Sequence, residues 1–178
     1  MIELWIPITI LAAFSQNLRS ALQKHLKSRL STAGATYVRF FYAVPFAFLY
    51  LFILNQFFYL PLPEPNANFI IFGIIGGGTQ IIATALLVYL FSFRNFAVGT
   101  AYSKTETAQT AVFGLIILGD PLTPGAIIGI MISLVGVMAI STARQENGLK
   151  NIIQSLSQKT ALIGLASGAM FGMSAISY

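Results

Sequence analysis

The sequence predicts an all-α polytopic membrane protein: five spanning helices, followed by the first helix of a second, inverted copy. Three observations carry this. The chain of 178 residues is 56% hydrophobic and only 8% charged, with a mean hydropathy of +0.79. A soluble domain carries about a quarter charged residues, so this chain cannot cover a water-facing surface and bilayer is its expected solvent. Its apolar runs recur at spanning length between proline- and glycine-rich breaks. Finally, the first segment is echoed, weakly, after the fifth.

A span needs about 20 mostly apolar residues. Six segments meet this, roughly Leu4–Leu22, Ala35–Phe58, Phe69–Phe91, Phe96–Leu118, Ala126–Ala143 and Ala161–Tyr178. The N-terminus has no basic region and the polar run Ser15–Arg19 interrupts the first segment, so no cleavable signal peptide is read there. Pro61–Asn66 (PLPEPN) cannot continue a helix. Gly119–Gly125 (GDPLTPG) ends the fourth segment and starts the fifth, with Thr123 as N-cap and Pro124 as first helical residue. Between the fifth and sixth, Leu149, Ile152, Ile153 and Leu156 space one apolar helical face, which predicts a short interfacial helix or a plain amphipathic linker.

Composition excludes several chemistries. There is no cysteine, so no disulfide or thiolate chemistry. A single histidine, His25, sits in a basic cluster, which argues against a histidine metal cage or a serine–histidine–acid triad. Glu106 is the one acid at expected membrane depth, too few for paired-acid hydrolysis. No cofactor, metal ion or nucleic-acid partner is expected, and the chain is read as not an enzyme. Gly73–Gln80 (GIIGGGTQ) lacks the Gly-Lys-Ser/Thr of a phosphate loop. The net charge of +5 reports topology. Lysine and arginine fall in the first, third and fifth connections and not in the second or fourth. The positive-inside rule then puts the odd connections in the cytoplasm and the N-terminus outside.

The polar residues inside the spans are the candidate site. If the fourth helix began after Glu106 it would run only to Leu118, roughly 18 Å at 1.5 Å per residue against a ~30 Å hydrocarbon core. Either this segment is re-entrant, or Lys104 and Glu106 lie within the span; the second is favoured. A charge near mid-bilayer costs about 2.5–3.5 kcal/mol and usually faces a protein interior or a wet cavity. Lys104 and Glu106 are two apart and do not share a helix face, whereas Glu106, Gln109 and Thr110 do. Gln16, Asn17 and Arg19 in the first segment, Arg39 in the second and Gln80 in the third are further polar intrusions. Structural glue and snorkelling are the competing readings for them, and for Arg19 and Arg39 in particular snorkelling. Small residues recur at GxxxG spacing, Gly73/Gly77, Gly125/Gly129, Gly164/Gly168 and Gly168/Gly172, which permits close helix contact.

Leu11–Lys24 (LAAFSQNLRSALQK) sets against Leu165–Tyr178 (LASGAMFGMSAISY), with Leu11, Ala12, Ser20 and Ala21 opposite Leu165, Ala166, Ser174 and Ala175. Five helices and then a restart make an inverted repeat, because an odd count flips the second copy. Ser31–Leu51, with an arginine early in its helix, and Ala97–Ser141, with a Gly-Asp-Pro-Leu-Thr turn before a Gly-rich helix, resemble EamA-type proteins of the drug/metabolite transporter superfamily. Asp120 stands where many relatives have glutamate.

The resemblance implies a multi-pass transporter of the cell membrane, in bacteria the inner membrane, built from two five-helix repeats. Residues 1–143 would be the first five-helix transporter repeat, 144–160 a basic amphipathic linker, and 161–178 the incomplete start of the second. Ten-helix relatives are described with the N-terminus inside, against the charge distribution here. The implied function is alternating-access carriage of small metabolites, such as export of amino acids or related polar compounds, with proton or ion coupling. Lys104, Glu106 and Gln109 would border the substrate path, with Gln16, Asn17, Gln80 and Arg39 as neighbours. The alternatives are a flippase for lipid-linked substrates, or a non-transporting half-unit that associates as a homodimer or lacks its second repeat.

Overall fold

The computed structural model describes residues 4–62, 65–93, 96–143 and 159–178. Helices account for most of them, and no strand is present among the described residues. Of the expected linker 144–160, residues 144–158, which include the expected amphipathic face, lie outside them, and Lys159 and Thr160 belong to the last helix.

α1 (Trp5–Lys27) outlasts its apolar run and carries Lys24, His25 and Lys27 in its last turn, where cations complement the helix dipole. The second segment divides into α2 (Thr32–Phe41) and α3 (Ala43–Phe58). Pro45 explains the break: it has no N–H, and its ring clashes with the carbonyl four residues back, at Phe41. Ser31 caps α2 by accepting from Gly34 N. α3 ends at Tyr59, in the left-handed region at φ 54°. Asn66 caps α4 (Ala67–Leu90) by accepting from Phe69 N at 2.7 Å.

The fourth segment is discontinuous, not the continuous helix the length argument favoured. It consists of α5 (Phe96–Ser103), a turn at Lys104 and Thr105, α6 (Glu106–Phe113) and a π-helical turn at Gly114–Leu118. Lys104 N and Thr105 N bond three residues back, to Ala101 O and Tyr102 O, and the side chains of Ser103 and Thr105 bond back to Thr100 O and Tyr102 O. Hydroxyls bonding the preceding turn compete with the helical ladder and bend it. The π turn ends at Gly119, whose φ of 72° suits glycine. α7 (Pro124–Ala143) begins as its sequence signals indicate, with Thr123 Oγ1 accepting from Ala126 N at 3.2 Å.

The last helix, α8 (Lys159–Ile176), is the centre of the packing. α4, α5 and α6 all lie against it. Its serines bond across the contact: Ser167 Oγ donates to Ala83 O and Ser174 Oγ to Gly76 O, both buried and both 2.9 Å. Its glycines let backbones approach. A β-carbon on Gly168 would stand 3.0 Å from Ser103 O, and one on Gly172 would stand 3.2 Å from Thr110 N. Of the four GxxxG pairs, Gly168/Gly172 is thus in close contact. Gly73/Gly77 and Gly125/Gly129 have nothing within 4 Å.

Among the described residues, three stretches are long and apolar enough to cross a membrane: Thr32–Phe58, Ala67–Leu90 and Lys159–Ile176. α1 has the length, at 23 residues, but its run Ser15–Arg19 lowers its hydropathy. Large apolar side chains point outward, Phe46 (71% exposed), Phe57 (72%) and Ile116 (74%) among them, while the buried hydrophobics are mostly small or lie along α4. Soluble monomers rarely expose apolar surface so continuously, and a lipid solvent removes the cost.

Candidate functional site

The break in the fourth segment positions the site. At Lys104 and Thr105 the α-helical ladder gives way to bonds three residues back, and at membrane depth irregular backbone is tolerated where it is covered by protein or lines a wet cavity. Both conditions hold here. The bare backbone of α8 at Gly168 covers one side of the break, with Glu106 N as well as Ser103 O within reach of a β-carbon there. Ser103, Lys104 and Glu106 at the break also line a cavity of about 410 Å³.

α1, α2, α4, the α5–α6 turn and α8 all contribute to this cavity. Gln16 and Arg19 come from α1, Arg39 from α2, Gln80 from α4, and Lys104 and Glu106 from the break. Lys104 is exposed and Glu106 half-buried. Arg39 is anchored: Nη1 donates to Thr84 Oγ1 at 2.6 Å, and its guanidinium lies 5.1 Å from the Phe40 ring centroid. Thr84 is fully buried, so this bond fixes the α2–α4 contact as well as the arginine. Ser103 and Ser174 also reach the cavity, but each hydroxyl hydrogen is already committed to a backbone carbonyl, so they face it as acceptors.

Five of the seven residues singled out from the sequence therefore line one cavity: Gln16, Arg39, Gln80, Lys104 and Glu106. Two do not line it. Asn17 is exposed, one position and about 100° round α1 from Gln16. Gln109 turns toward α8, where Nε2 donates to Thr105 Oγ1 at 2.9 Å and to Leu165 O at 3.4 Å, and its buried Oε1 has no partner. Glu106 borders a second cavity too, of about 490 Å³, walled by α6 and α7.

Sequence reasoning left Arg19 out of the site, and Ser20, Ser103 and Ser174 with it. The signal for Arg19 was present. Gln16, Arg19 and Ser20 stand at i, i+3 and i+4, one helical face, and Gln23 continues it. Gln23 is 4% exposed with Nε2 unpartnered, and it lines a further cavity of about 310 Å³ behind Arg19 and Arg39. Ser174 could be found only once α8 was docked on α4.

No group of three or more metal-ligating side chains occurs among the described residues. The model of the EamA-like transporter family matches residues 3–142. No curated protein and no solved structure matches the chain.

Proposed function

The chain belongs to the EamA-like transporter family, and on that premise we propose that it carries small polar metabolites across the membrane through the cavity at the α5–α6 break. Family membership makes it a multi-pass membrane transporter of the drug/metabolite type. The finer reading is ours: alternating access between residues 1–143 and a second repeat that begins at 161–178, with export of amino acids or related polar compounds. The observation that carries it is the break itself. A discontinuous helix whose interruption lines a polar cavity is how many secondary transporters build a midplane site.

In this reading Glu106 takes a proton or the cationic group of the substrate. Lys104 and the two arginines meet its anionic groups, and the glutamines supply neutral hydrogen bonds. Transport by Glu106→Gln tests it. The variant retains size and shape, so it is expected to insert normally and to lose at least tenfold in flux in proteoliposomes. Full flux in a well-inserted variant would leave Glu106 a structural residue. Activity that depends on lipid-linked substrates, with no flux of soluble ones, would instead favour the flippase reading.

A further inference from the structure

The side chains around the 410 Å³ cavity are unbalanced in charge. Arg19, Arg39 and Lys104 are cations, and Glu106 is the one carboxylate side chain among those lining it. From this imbalance we propose that the site takes a small organic anion with one or more carboxylate or phosphate groups, in preference to neutral, zwitterionic or cationic solutes; this rests on the carrier reading above and replaces its amino-acid substrate class with an anionic one.

The argument is one of neutralisation in a poor solvent. Three cations and one carboxylate leave a formal excess of two positive charges, contributed by three separate elements: α1, α2 and the α5–α6 turn. Charges at membrane depth are costly unless paired or solvated. A cation would add to the excess. A zwitterion would cancel one cation and Glu106, leaving the other two positive charges in place. A dianion would balance the side-chain charges that Arg19, Arg39, Lys104 and Glu106 bring to the cavity.

Geometry supports the same class. Guanidinium groups present planar N–H forks that match carboxylate and phosphate oxygens, and a lysine adds a compact point charge. Arg39 is held by its bond to Thr84 and by the Phe40 ring, so its orientation is set before any ligand arrives. Gln16 and Gln80 can donate further hydrogen bonds from two walls. The acceptor-only serines, Ser103 and Ser174, are suited to the hydroxyl group of a hydroxy acid.

The test is equilibrium binding to the purified protein in a chloride-poor buffer, with succinate and inorganic phosphate as anionic probes against alanine and choline. One of the anions is expected to bind at least tenfold more tightly than either comparison solute. Arg19→Gln and Lys104→Gln are each expected to weaken that binding several-fold without lowering the melting temperature of the ligand-free protein. These positions are chosen because Arg39 also holds α2 to α4. Equal or tighter binding of alanine or choline would overturn the inference, as would the absence of anion binding by the folded protein or anion binding indifferent to both substitutions. Flux in proteoliposomes separates this from the carrier reading. Transport of alanine or choline would keep the carrier and discard the anion, whereas anion binding without flux of any solute would do the reverse.

Discussion

Gly168 and Ser103 meet at the break in the fourth segment, so closely that a β-carbon on the glycine would stand 3.0 Å from the serine carbonyl oxygen. The contact joins two backbones, so neither side can yield by rotating a side chain. Gly168→Val is therefore expected to destabilise the protein by about 1–3 kcal/mol through overpacking. Gly129→Val, with nothing within 4 Å of its β-carbon position, is expected to be tolerated. Unfolding in detergent mixtures compares the two, and equal stability of both variants would contradict the close docking of α8.

Thr84→Val tests the anchor of Arg39. The substitution keeps the shape and removes the acceptor of a 2.6 Å bond from a guanidinium. Hydrogen bonds to charged groups are worth about 1.5–3 kcal/mol, and a loss of that order is expected, with Thr84→Ser retaining most of the stability. If valine and serine behave alike, the bond contributes nothing to the fold.

Ser167→Ala and Ser174→Ala each remove one buried bond from α8 to a carbonyl of α4. Interhelical bonds of this kind contribute about 0.6–1.7 kcal/mol in membranes. The two serines are seven residues apart, roughly 10 Å along the helix, so their effects are expected to add in the double variant. Chemical denaturation of the two single variants and the double variant measures this; a silent pair would mean that α8 is held by packing alone.

Orientation can be read by labelling, because the chain has no cysteine to remove. The lysine and arginine distribution predicts that Asp120→Cys reacts with a membrane-impermeant thiol reagent from outside intact cells and Ser28→Cys does not. The opposite pattern would place the N-terminus inside, as described for ten-helix relatives, and equal labelling of both would mean dual insertion.

Much of this protein was legible in its sequence because the signals are local or compositional. Hydropathy and charge scarcity demand a lipid solvent whatever the fold. Thr123, Pro124 and Gly119 act on their own backbone, so the ends they mark hold in the structure. Lys104 and Glu106 stood out because charge inside an apolar run is expensive wherever the helix packs.

The tertiary structure decided what depends on partners distant in sequence. Gly168/Gly172 and Gly125/Gly129 have the same spacing, and only docking shows that the first pair meets α5 and α6 while the second meets nothing. Asn17 and Arg19 are both polar neighbours of Gln16, but the direction in which α1 faces brings Arg19 to the cavity and leaves Asn17 exposed. Gln109 shares a face with Glu106, yet α8 draws it into an interhelical bond with Leu165 O. The physical reason is the same each time. Sequence spacing determines which residues share a face of one helix, but what that face meets is set by the packing of the others.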